Sequence, residues 1–409
     1  MSIALFRSRA LLSMIALTAS ACQFNSSGVQ FNDGAVVCSG SQCTDATAAD
    51  AATPAADAMI PDNWYAPGWS FRRQIVIDKD KIDAELMAFP VLVSLTDPEI
   101  IQAMRADGGD ILFTTTTGLN KLPHQIELFD RAANKLIAWV LVPELSATED
   151  TRVFLYYGNA DGSADNNPTA VWDIDYHGVW HLDEATVDEA NDGAHSDSTS
   201  RLNPGRQNGN AQVGGVIGFA QQFDGVDDEI DVANPTSFIL GDANCTVSAW
   251  IRTTDTLRAG IVIKSPNGFH EPNDRLFGIN YTANRLGIDH GWIGYLGGTS
   301  TINDGEWHHV AWVQRRDSSG PNDRWELYVD GEEDSNRLAN PAVDNPAHTL
   351  RIGSSVPGSF FPYNFLGDLD EVRISNSARS PAWIAASYRN QVSPATFYTV
   401  GAEQALSGK

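Results

Sequence analysis

Short segments in which every second residue is apolar dominate the chain beyond residue 64. In "FPVLVSL", for example, Phe89, Val91, Val93 and Leu95 occupy alternate positions. Because successive side chains of a strand point to opposite faces of a sheet, this period predicts strands with one buried face. "KLIAWVLVP" and "TRVFLYYGN" are apolar at consecutive positions, which is typical of strands buried on both faces. With 34 glycines and 19 prolines available for turns, the pattern predicts an all-β protein built of β-sandwiches.

Two short helices are predicted to interrupt the strands. Asp97 can cap a helix that begins at Pro98, and Ser380 can cap one that begins at Pro381. Proline suits the first turn of a helix, where its missing N–H costs nothing. In the second helix, Trp383 and its apolar neighbours form the side that we expect to be buried.

The N-terminal residues have the order of an export signal. Arg7 and Arg9 form a basic region, residues 10–16 are a short apolar run, and Ala19-Ser20-Ala21-Cys22 follows. The run is too short to remain as a membrane span. The order resembles a bacterial lipoprotein signal, which implies that residues 1–21 are removed and that Cys22 carries the lipid. Gln23 then implies the outer membrane, whereas an ordinary cleaved signal peptide is the alternative.

Residues 22–63 are predicted to form a disordered tether. Within them, "TDATAADAATPAADA" at residues 44–58 contains no aromatic residue, so it cannot bury enough apolar surface to fold. A flexible segment of this kind holds the next domain roughly a few tens of Å from the membrane. Cys38 and Cys43 flank "SGSQ" in this exported segment, which favours a disulfide between them.

Residues 64–160 form the first predicted sandwich. The segments "WSFRRQIVID", "FPVLVSL", "DGGDILFT", "KLPHQIELFD" and "VFLYYGN" follow one another there. Together they resemble a bacterial domain of unknown function, family 2341. The resemblance implies a β-sandwich that often stands beside lectin-like domains, and it brings no assigned catalytic residue.

Residues 172–403 form the second predicted sandwich, after a polar connector at residues 161–171. The segments "HGVWHLDE", "AQQFDGVDDEIDV", "CTVSAWIRT", "DGEWHHVAWVQ", "RWELYVDGEE" and "FLGDLDEVRIS" occur there in order. They resemble the laminin-G-like, concanavalin A-like jelly roll of bacterial surface proteins. We expect this sandwich and the first one to fold separately.

The stretch "FDGVDDEIDV" has two interpretations. Glu229 and Asp231 are two residues apart and share a strand face, as do the catalytic carboxylates of laminarinase-type glycosidases, which the jelly roll also resembles. The third carboxylate of that pattern belongs at 233 or 234, where Ala233 and Asn234 stand. A retaining glycosidase needs one carboxyl group as nucleophile and another as acid. We therefore predict that this strand is not catalytic and that the chain is not an enzyme.

Structural calcium is the predicted cofactor of the second sandwich. Calcium takes oxygen ligands from several loops, and the resemblance singles out Asp183, Asp197 and Asp370 as candidate ligands. The alternative is that such aspartates cap turns and pair with arginine.

Aromatic residues in loops are the candidate glycan-binding residues, because sugar rings present flat C–H faces. The candidates lie in "NGFHEPND", "DHGWIGYLGG" and "GSFFPYN". They are Phe269, His270, Trp292, Tyr295, Phe361 and Tyr363. Closure of the sandwich edge is the alternative role of each. By contrast, Trp250, Trp307 and Trp312 alternate within strands and are predicted to lie in the core.

The composition limits the class of partner. A net charge of −25 disfavours nucleic acid, whose binding needs clustered lysine and arginine. We expect an exported, lipid-anchored protein at the outer membrane or cell surface that binds a polysaccharide or glycoconjugate. Binding of another envelope protein is the first alternative. A polysaccharide hydrolase or lyase with an unrecognised site is the second.

Overall fold

The computed structural model describes most of the chain beyond the N-terminal segment. The described ranges are 63–163, 166–185, 195–238, 240, 243–265, 274–279, 284–291, 294–316, 322–340, 348–354 and 363–406. These residues belong to one compact unit. None of its described helices is both long enough and apolar enough to cross a membrane. Cys22, Cys38 and Cys43 lie outside the described residues.

Strands make up most of the structure, as predicted. The strands of the first part of the chain are β1 (Phe71–Ile77), β2 (Leu86–Thr96), β3 (Leu112–Thr115), β4 (Lys121–Leu122), β5 (His124–Asp130), β6 (Lys135–Leu145) and β7 (Thr151–Tyr157). Those of the second part are β8 (Tyr176–Trp180), β9 (Gly205–Asn208), β10 (Ala211–Gly214), β11 (Phe219–Asp224), β12 (Glu229–Val232), β13 (Cys245–Arg252), β14 (Ala259–Ser265), β15 (Arg275–Ile279), β16 (Arg285–His290), β17 (Gly294–Thr301), β18 (Trp307–Arg315), β19 (Asp323–Val329), β20 (Glu332–Ala339), β21 (Thr349–Ile352) and β22 (Leu366–Ser375). The strands β23 (Tyr398–Val400) and β24 (Gln404–Ala405) follow near the C-terminus.

Both predicted helices are present. The helices are α1 (Pro98–Ala103), α2 (Pro168–Val171), α3 (Pro381–Val392) and α4 (Pro394–Phe397), with 3-10 turns at Lys79–Lys81 and Pro235–Ser237. The Asp97 carboxylate accepts hydrogen bonds from the backbone N–H groups of Glu99 and Ile100, at 2.9 and 3.2 Å. The Ser380 hydroxyl accepts one from the N–H of Trp383 at 3.2 Å. The capping residues therefore start α1 and α3 as the sequence predicts.

The first sandwich consists of two sheets. Sheet A has the order β23-β1-β7-β3-β4, with β24 also on β1, and sheet B has the order β2-β6-β5. The predicted face of β2, with Phe89, Val91, Val93 and Leu95, packs in the core between them. This confirms the period-two interpretation of "FPVLVSL".

Sheet B is buried on its other face as well. Leu92, Ile137 and Trp139 point away from sheet A and pack against Trp172 and Val179 of the second part of the chain. This explains why "KLIAWVLVP" is apolar at consecutive positions, because both faces of β6 are covered.

The second sandwich has the jelly-roll arrangement expected from the sequence. Sheet C has the order β10-β11-β22-β13-β18-β19-β20, with β8 also on β22. Sheet D has the order β17-β16-β15-β14-β21-β12-β9. Ile230, Val232 and Trp312 lie in the core between the two sheets, and so does Cys245, which the sequence predicts to be buried.

The C-terminal residues do not belong to the jelly roll, which corrects the predicted limit at residue 403. β23 and β24 pair antiparallel with β1 in sheet A. Between β22 and β23, α3 places Trp383 and Ile384 in a core cluster that also contains Ala311 and residues of the first sandwich. The sequence predicts that these C-terminal residues belong to the second sandwich, because nothing local to them indicates which sheet they join.

The same C-terminal residues complete the outer edge of sheet B. β2 is the edge strand there, and an edge strand leaves one row of backbone groups unpaired. The Asn390 side chain accepts from the N–H of Leu92 at 2.6 Å and donates to its carbonyl at 3.0 Å. The Tyr398 hydroxyl accepts from the N–H of Ser94 and donates to its carbonyl, both at 2.8 Å. Two side chains thus take the place of a neighbouring strand.

The connector predicted at residues 161–171 is also bound to the first sandwich. The Asn166 side chain accepts a hydrogen bond from the N–H of Ile126 at 2.9 Å. Next along the chain, the Trp172 indole N–H donates to the Gln125 side chain at 2.9 Å. Together with α3 and β23, these contacts join the sandwiches through a shared core, whereas the sequence predicts separate ones.

Candidate functional site

Four neighbouring strands of sheet C place a row of large polar and aromatic side chains on one face. Trp307 on β18 pairs with Arg252 on β13, Arg252 pairs with Asp368 on β22, and Asp368 pairs with Gln222 on β11. Directly paired residues of antiparallel strands point to the same face. Trp307, Arg252, Asp368 and Gln222 are therefore called the sheet-C row.

The members of the sheet-C row contact one another. Arg252 Nε lies 2.7 Å from Asp368 Oδ2, and the Gln222 amide donates to Asp368 Oδ1 at 3.4 Å. The Arg252 guanidinium lies 4.9 Å from the centroid of the Trp307 ring. Trp307 is half-buried, which corrects its predicted place in the core, while Trp250 and Trp312 are buried as predicted.

The sheet-C row borders an open groove of about 500 Å³. Besides Arg252, Asp368 and Gln222, the groove is lined by Phe223, Asp224, Thr253, Thr254, Gly305, Leu366 and Gly367. Gly367 has a φ of +140°, and a Cβ there would lie 2.3 Å from the carbonyl oxygen of Arg252. A glycine is therefore required for β22 to approach the end of β13 at the groove floor. Hydroxyl, carboxylate and guanidinium groups thus face a space large enough for a sugar unit.

Two of the predicted glycan-binding aromatics lie on the outer face of sheet D. Tyr295 is half-buried and pairs with Asp289 across β17 and β16. Asp289 forms an ion pair with Arg258, in which Oδ2 and Nη2 are 2.6 Å apart. The Arg258 guanidinium also lies 4.7 Å from the centroid of the Tyr363 ring. Tyr363 is only 5% exposed and packs on Ile263 and Leu276. The Tyr363 ring therefore supports the ion pair, and Tyr295 offers more surface to solvent.

Phe269, His270, Trp292 and Phe361 lie outside the described residues.

The carboxylates of the glycosidase-like strand share one face, as predicted, but both are paired with arginine. Arg351 Nε lies 3.1 Å from Glu229 Oε2 and 2.8 Å from Asp231 Oδ1. Arg206 adds a contact of 2.9 Å to Asp231. Burial raises the pKa of Glu229, and Arg351 opposes that rise. At the position of the third carboxylate, Asn234 adopts a left-handed φ of +50° that begins a 3-10 turn. The arrangement is a charge-balanced pair.

The three candidate calcium ligands have different surroundings. Asp197 accepts hydrogen bonds from the N–H groups of Val179, Thr199 and Asn203 and from the Thr199 hydroxyl, at 2.8–3.0 Å. Asp370 accepts from the N–H groups of Val216 and Ile217, and burial raises the pKa of Asp183. Among the described residues, these three aspartates do not bring a carboxylate oxygen each to within 4.8 Å of one another. Calcium binding stays a prediction.

Asp224, Asp227 and Asp228 do form such a group, at the end of β11. Asp224 accepts from the N–H of Val226 at 2.7 Å, and Asp228 accepts from the N–H of Asp224 at 2.7 Å. These contacts are those of turn-forming aspartates, so the group is explained by the loop between β11 and β12.

A second group of ionisable side chains is buried where sheet B meets sheet C. His181 Nδ1 lies 2.7 Å from Glu371 Oε1 and 3.4 Å from Glu127 Oε2. Arg373 lies 2.6 Å from Glu371 Oε2, and its guanidinium is 4.3 Å from the centroid of the Trp139 ring. Glu127, His181, Glu371 and Arg373 are called the junction cluster. Sequence reasoning missed it, because Glu127 belongs to the first sandwich and the others belong to the second.

The junction cluster perturbs the protonation of its members. Burial and the neighbouring Glu371 carboxylate raise the pKa of Glu127 to about 8. Burial opposes the charged form of His181, yet Glu371 and Glu127 raise its pKa to about 9. The pKa of the adjoining Asp370 is well above its ordinary value, first because of burial and then because of Glu371. A buried site with more carboxylates than cations holds protons to relieve their repulsion.

The fold defines a protein of two β-sandwiches whose second member is a lectin-type jelly roll. Residues 107–195 match the family model of a domain of unknown function, DUF2341. Residues 223–385 match the family model of the concanavalin A-like lectin/glucanases superfamily. The chain therefore carries a DUF2341 domain followed by a laminin-G-like domain, which confirms the resemblance found in the sequence. No curated protein sequence matches the chain.

Several solved structures are similar to part of the chain. Domain 4 of AbnA, an extracellular arabinanase from Geobacillus stearothermophilus solved with arabinotriose, is 20% identical with a TM-score of 0.40, covering 51% of this chain and 96% of that one. The carbohydrate-binding module CBM40 of a Ruminococcus gnavus sialidase, bound to α2,3-sialyllactose, is 13% identical with a TM-score of 0.30, covering 36% and 82%. The binding domain of botulinum neurotoxin serotype D is 15% identical with a TM-score of 0.38, covering 55% of this chain. The similar region covers 53% of the length of that binding domain, so this chain spans about half of it.

Proposed function

We propose that the chain is a non-catalytic binding protein for a glycan or a glycan-bearing surface component, exported and anchored by a lipid on Cys22. The jelly roll belongs to a superfamily of lectins and glucanases, so binding and hydrolysis are the two activities to be weighed. The groove beside the sheet-C row favours binding.

The sheet-C row is the observation that carries this proposal. Its guanidinium, carboxylate and amide line a groove of about 500 Å³, and the Trp307 ring lies beside the Arg252 guanidinium in the same row. Ligand sites usually combine apolar surface with a few well-placed polar groups. The Trp307 ring suits the C–H face of a sugar, and Asp368 and Gln222 suit its hydroxyl groups. Because Arg252 and Asp368 hold each other in place at 2.7 Å, the polar groups are positioned before a ligand arrives.

The state of Glu229 and Asp231 supports the non-catalytic part of the proposal. Arg351 contacts both carboxylates, and Arg206 contacts Asp231. A glycosidase acid must be protonated and face the glycosidic oxygen. Both carboxylates are instead held in ion pairs with arginine, and Ala233 and Asn234 stand where the third carboxylate of the glycosidase pattern belongs.

A glycan array probed with the intact protein tests the proposal. We expect binding to a restricted set of glycans, weakened at least about tenfold by Asp368→Asn or Trp307→Ala, which corresponds to about 1.4 kcal/mol. Tyr295→Ala is the matched control, because it removes an aromatic ring from sheet D instead of sheet C. If Tyr295→Ala alone weakens binding, the site lies on sheet D.

Three further results would contradict the proposal. Release of reducing sugar from a polysaccharide would make the chain an enzyme. Capture of an envelope protein without any glycan binding would favour the protein-adhesion alternative. An unmodified mature N-terminus downstream of Cys22 in mass spectrometry would exclude the lipid anchor.

A further inference from the structure

We propose that Glu127, His181 and Glu371 bind one divalent metal ion that ties the first sandwich to the jelly roll. This inference is independent of the glycan-binding proposal. The three residues come from different parts of the fold: Glu127 from β5 in sheet B, His181 from the residue after β8, and Glu371 from β22. A metal bound by all three would therefore hold the two sandwiches together.

The ligand atoms already converge. One ligand atom from each of the three side chains lies within 4.8 Å of the other two, and His181 Nδ1 lies 2.7 Å from Glu371 and 3.4 Å from Glu127. The three side chains are between 1% and 5% exposed. An imidazole nitrogen with two carboxylate oxygens suits Zn²⁺ or Co²⁺, whereas calcium prefers a larger set of oxygens.

Neighbouring side chains orient the proposed ligands. The Trp139 indole N–H donates to Glu127 Oε2 at 2.7 Å. Arg373 binds Glu371 through Oε2 and leaves Oε1 facing His181. The His181 ring stacks on Trp139, with centroids 6.1 Å apart and an interplanar angle of 22°. Partners of this kind are what fix metal ligands in their binding orientation.

Two buried carboxylate oxygens in and beside the junction cluster also indicate a site for a cation. Glu127 Oε1 and Asp370 Oδ1 have no hydrogen-bond partner among the described residues. Both side chains are buried, and an unsatisfied buried acceptor is costly. Asp370 directly precedes the proposed ligand Glu371 on β22. The structure therefore leaves oxygen lone pairs unused beside the three proposed ligands.

A divalent ion also fits the charge of the cluster. When they are ionised, the carboxylates of Glu127, Asp370 and Glu371 carry three negative charges, and Arg373 supplies one positive charge. One divalent ion, with His181 as a neutral ligand, supplies the missing two. Two bound protons would do the same, so the experiment has to separate a metal from protons.

The test uses the full chain, refolded in the presence of Zn²⁺ or Co²⁺ and then dialysed. We expect one equivalent of zinc by elemental analysis, and a Co²⁺ absorption spectrum typical of mixed nitrogen and oxygen ligands. Glu127→Gln keeps the size of the side chain and an acceptor for Trp139, so it should fold. It should weaken Zn²⁺ binding by at least about 100-fold, since changes beside metal ligands already cost 10–100-fold.

His308→Gln is the matched control. His308 lies 2.8 Å from Asp330 and 3.2 Å from Asp304 in a more exposed histidine–carboxylate group, and its replacement should leave the bound zinc unchanged. His181→Gln provides a second test of the ligand set. The proposal is overturned if wild type and Glu127→Gln retain equal zinc, or if only His308→Gln loses it. A wild type without bound zinc or cobalt would show that protons alone balance the cluster.

Discussion

Replacing Asn390 with alanine should destabilise the protein far more than the loss of one polar side chain usually does. Asn390 is 1% exposed and makes two hydrogen bonds to the backbone of Leu92 on the edge strand β2. Asn390→Ala leaves a buried N–H and a buried carbonyl without partners. A polar group stranded in this way costs about 1–3 kcal/mol. Two of them lower the free energy of unfolding by about 2–6 kcal/mol.

Urea unfolding followed by tryptophan fluorescence measures the effect, because the buried tryptophans of both sandwiches report on the transition. Asn336→Ala on the exposed strand β20 is the matched control. The exposed Asn336 side chain bonds to the Glu333 carboxylate, and exposed substitutions usually change stability by less than about 0.5 kcal/mol. Tyr398→Phe should act in the same direction as Asn390→Ala, because Ser94 loses both contacts to the hydroxyl.

Equal unfolding midpoints for Asn390→Ala and Asn336→Ala would refute this reasoning. They would mean that water reaches Leu92, or that β2 finds another partner. A difference confined to Asn390→Ala with no effect of Tyr398→Phe would limit the role of the C-terminal residues to Leu92.

Three further predictions concern other parts of the molecule. Burial and the nearby Arg373 lower the pKa of His309 to about 4, against about 6.5 in the unfolded chain. The unfolded chain therefore binds more protons between these values, so the free energy of unfolding should fall by up to about 3 kcal/mol from pH 7 to pH 4. His309→Gln should flatten that decline in urea titrations. Trp383→Ala should cost about 3–5 kcal/mol and split the calorimetric transition in two, because the ring packs 4.8 Å from Phe89 in the shared core; a single unshifted transition would contradict this. Asp197→Ala should cost about 3 kcal/mol or more through its lost hydrogen bonds, equally with and without calcium; a loss seen only with calcium would support the predicted calcium site instead.

Local patterns predicted the elements of this fold but not their partners. The alternation in "FPVLVSL" and the caps at Asp97 and Ser380 depend on neighbouring residues only, and the structure confirms them. The pairing of β23 with β1 depends on residues more than 300 positions apart. Nothing in "TFYTV" distinguishes a strand of the jelly roll from a strand of the first sandwich.

The sequence already contained the information needed to place Trp307 outside the core. Trp307 and Trp312 are five residues apart in one strand, so their side chains point to opposite faces. Only one of them could lie between sheets C and D, and the structure places Trp312 there. The sheet-C row itself required the register of four strands, which the sequence does not specify.

The junction cluster illustrates the same limit for the candidate sites. "GDLDEVRIS" contains four charged residues, and two of them, Asp370 and Glu371, are consecutive and therefore point to opposite faces of the strand. Their partner Glu127 lies in another domain, and sequence alone could not bring it to them. By contrast, the common face of Glu229 and Asp231 was predictable, because a spacing of two is enough.

The pairing of β24 with β1 has a consequence for the order of folding during synthesis. Arg72 and its partner Gln404 are separated by 332 positions. At about 5–20 residues per second, the ribosome needs roughly 20–60 s to make the intervening chain. During that time the N-terminal sandwich has a nearly complete core but lacks β23, β24 and the side chains that cover β2. The jelly roll, whose strands lie wholly within this interval, can close first. The domain made first is then the last to be finished, and any nascent or truncated chain that stops before residue 390 exposes an uncovered strand to its neighbours.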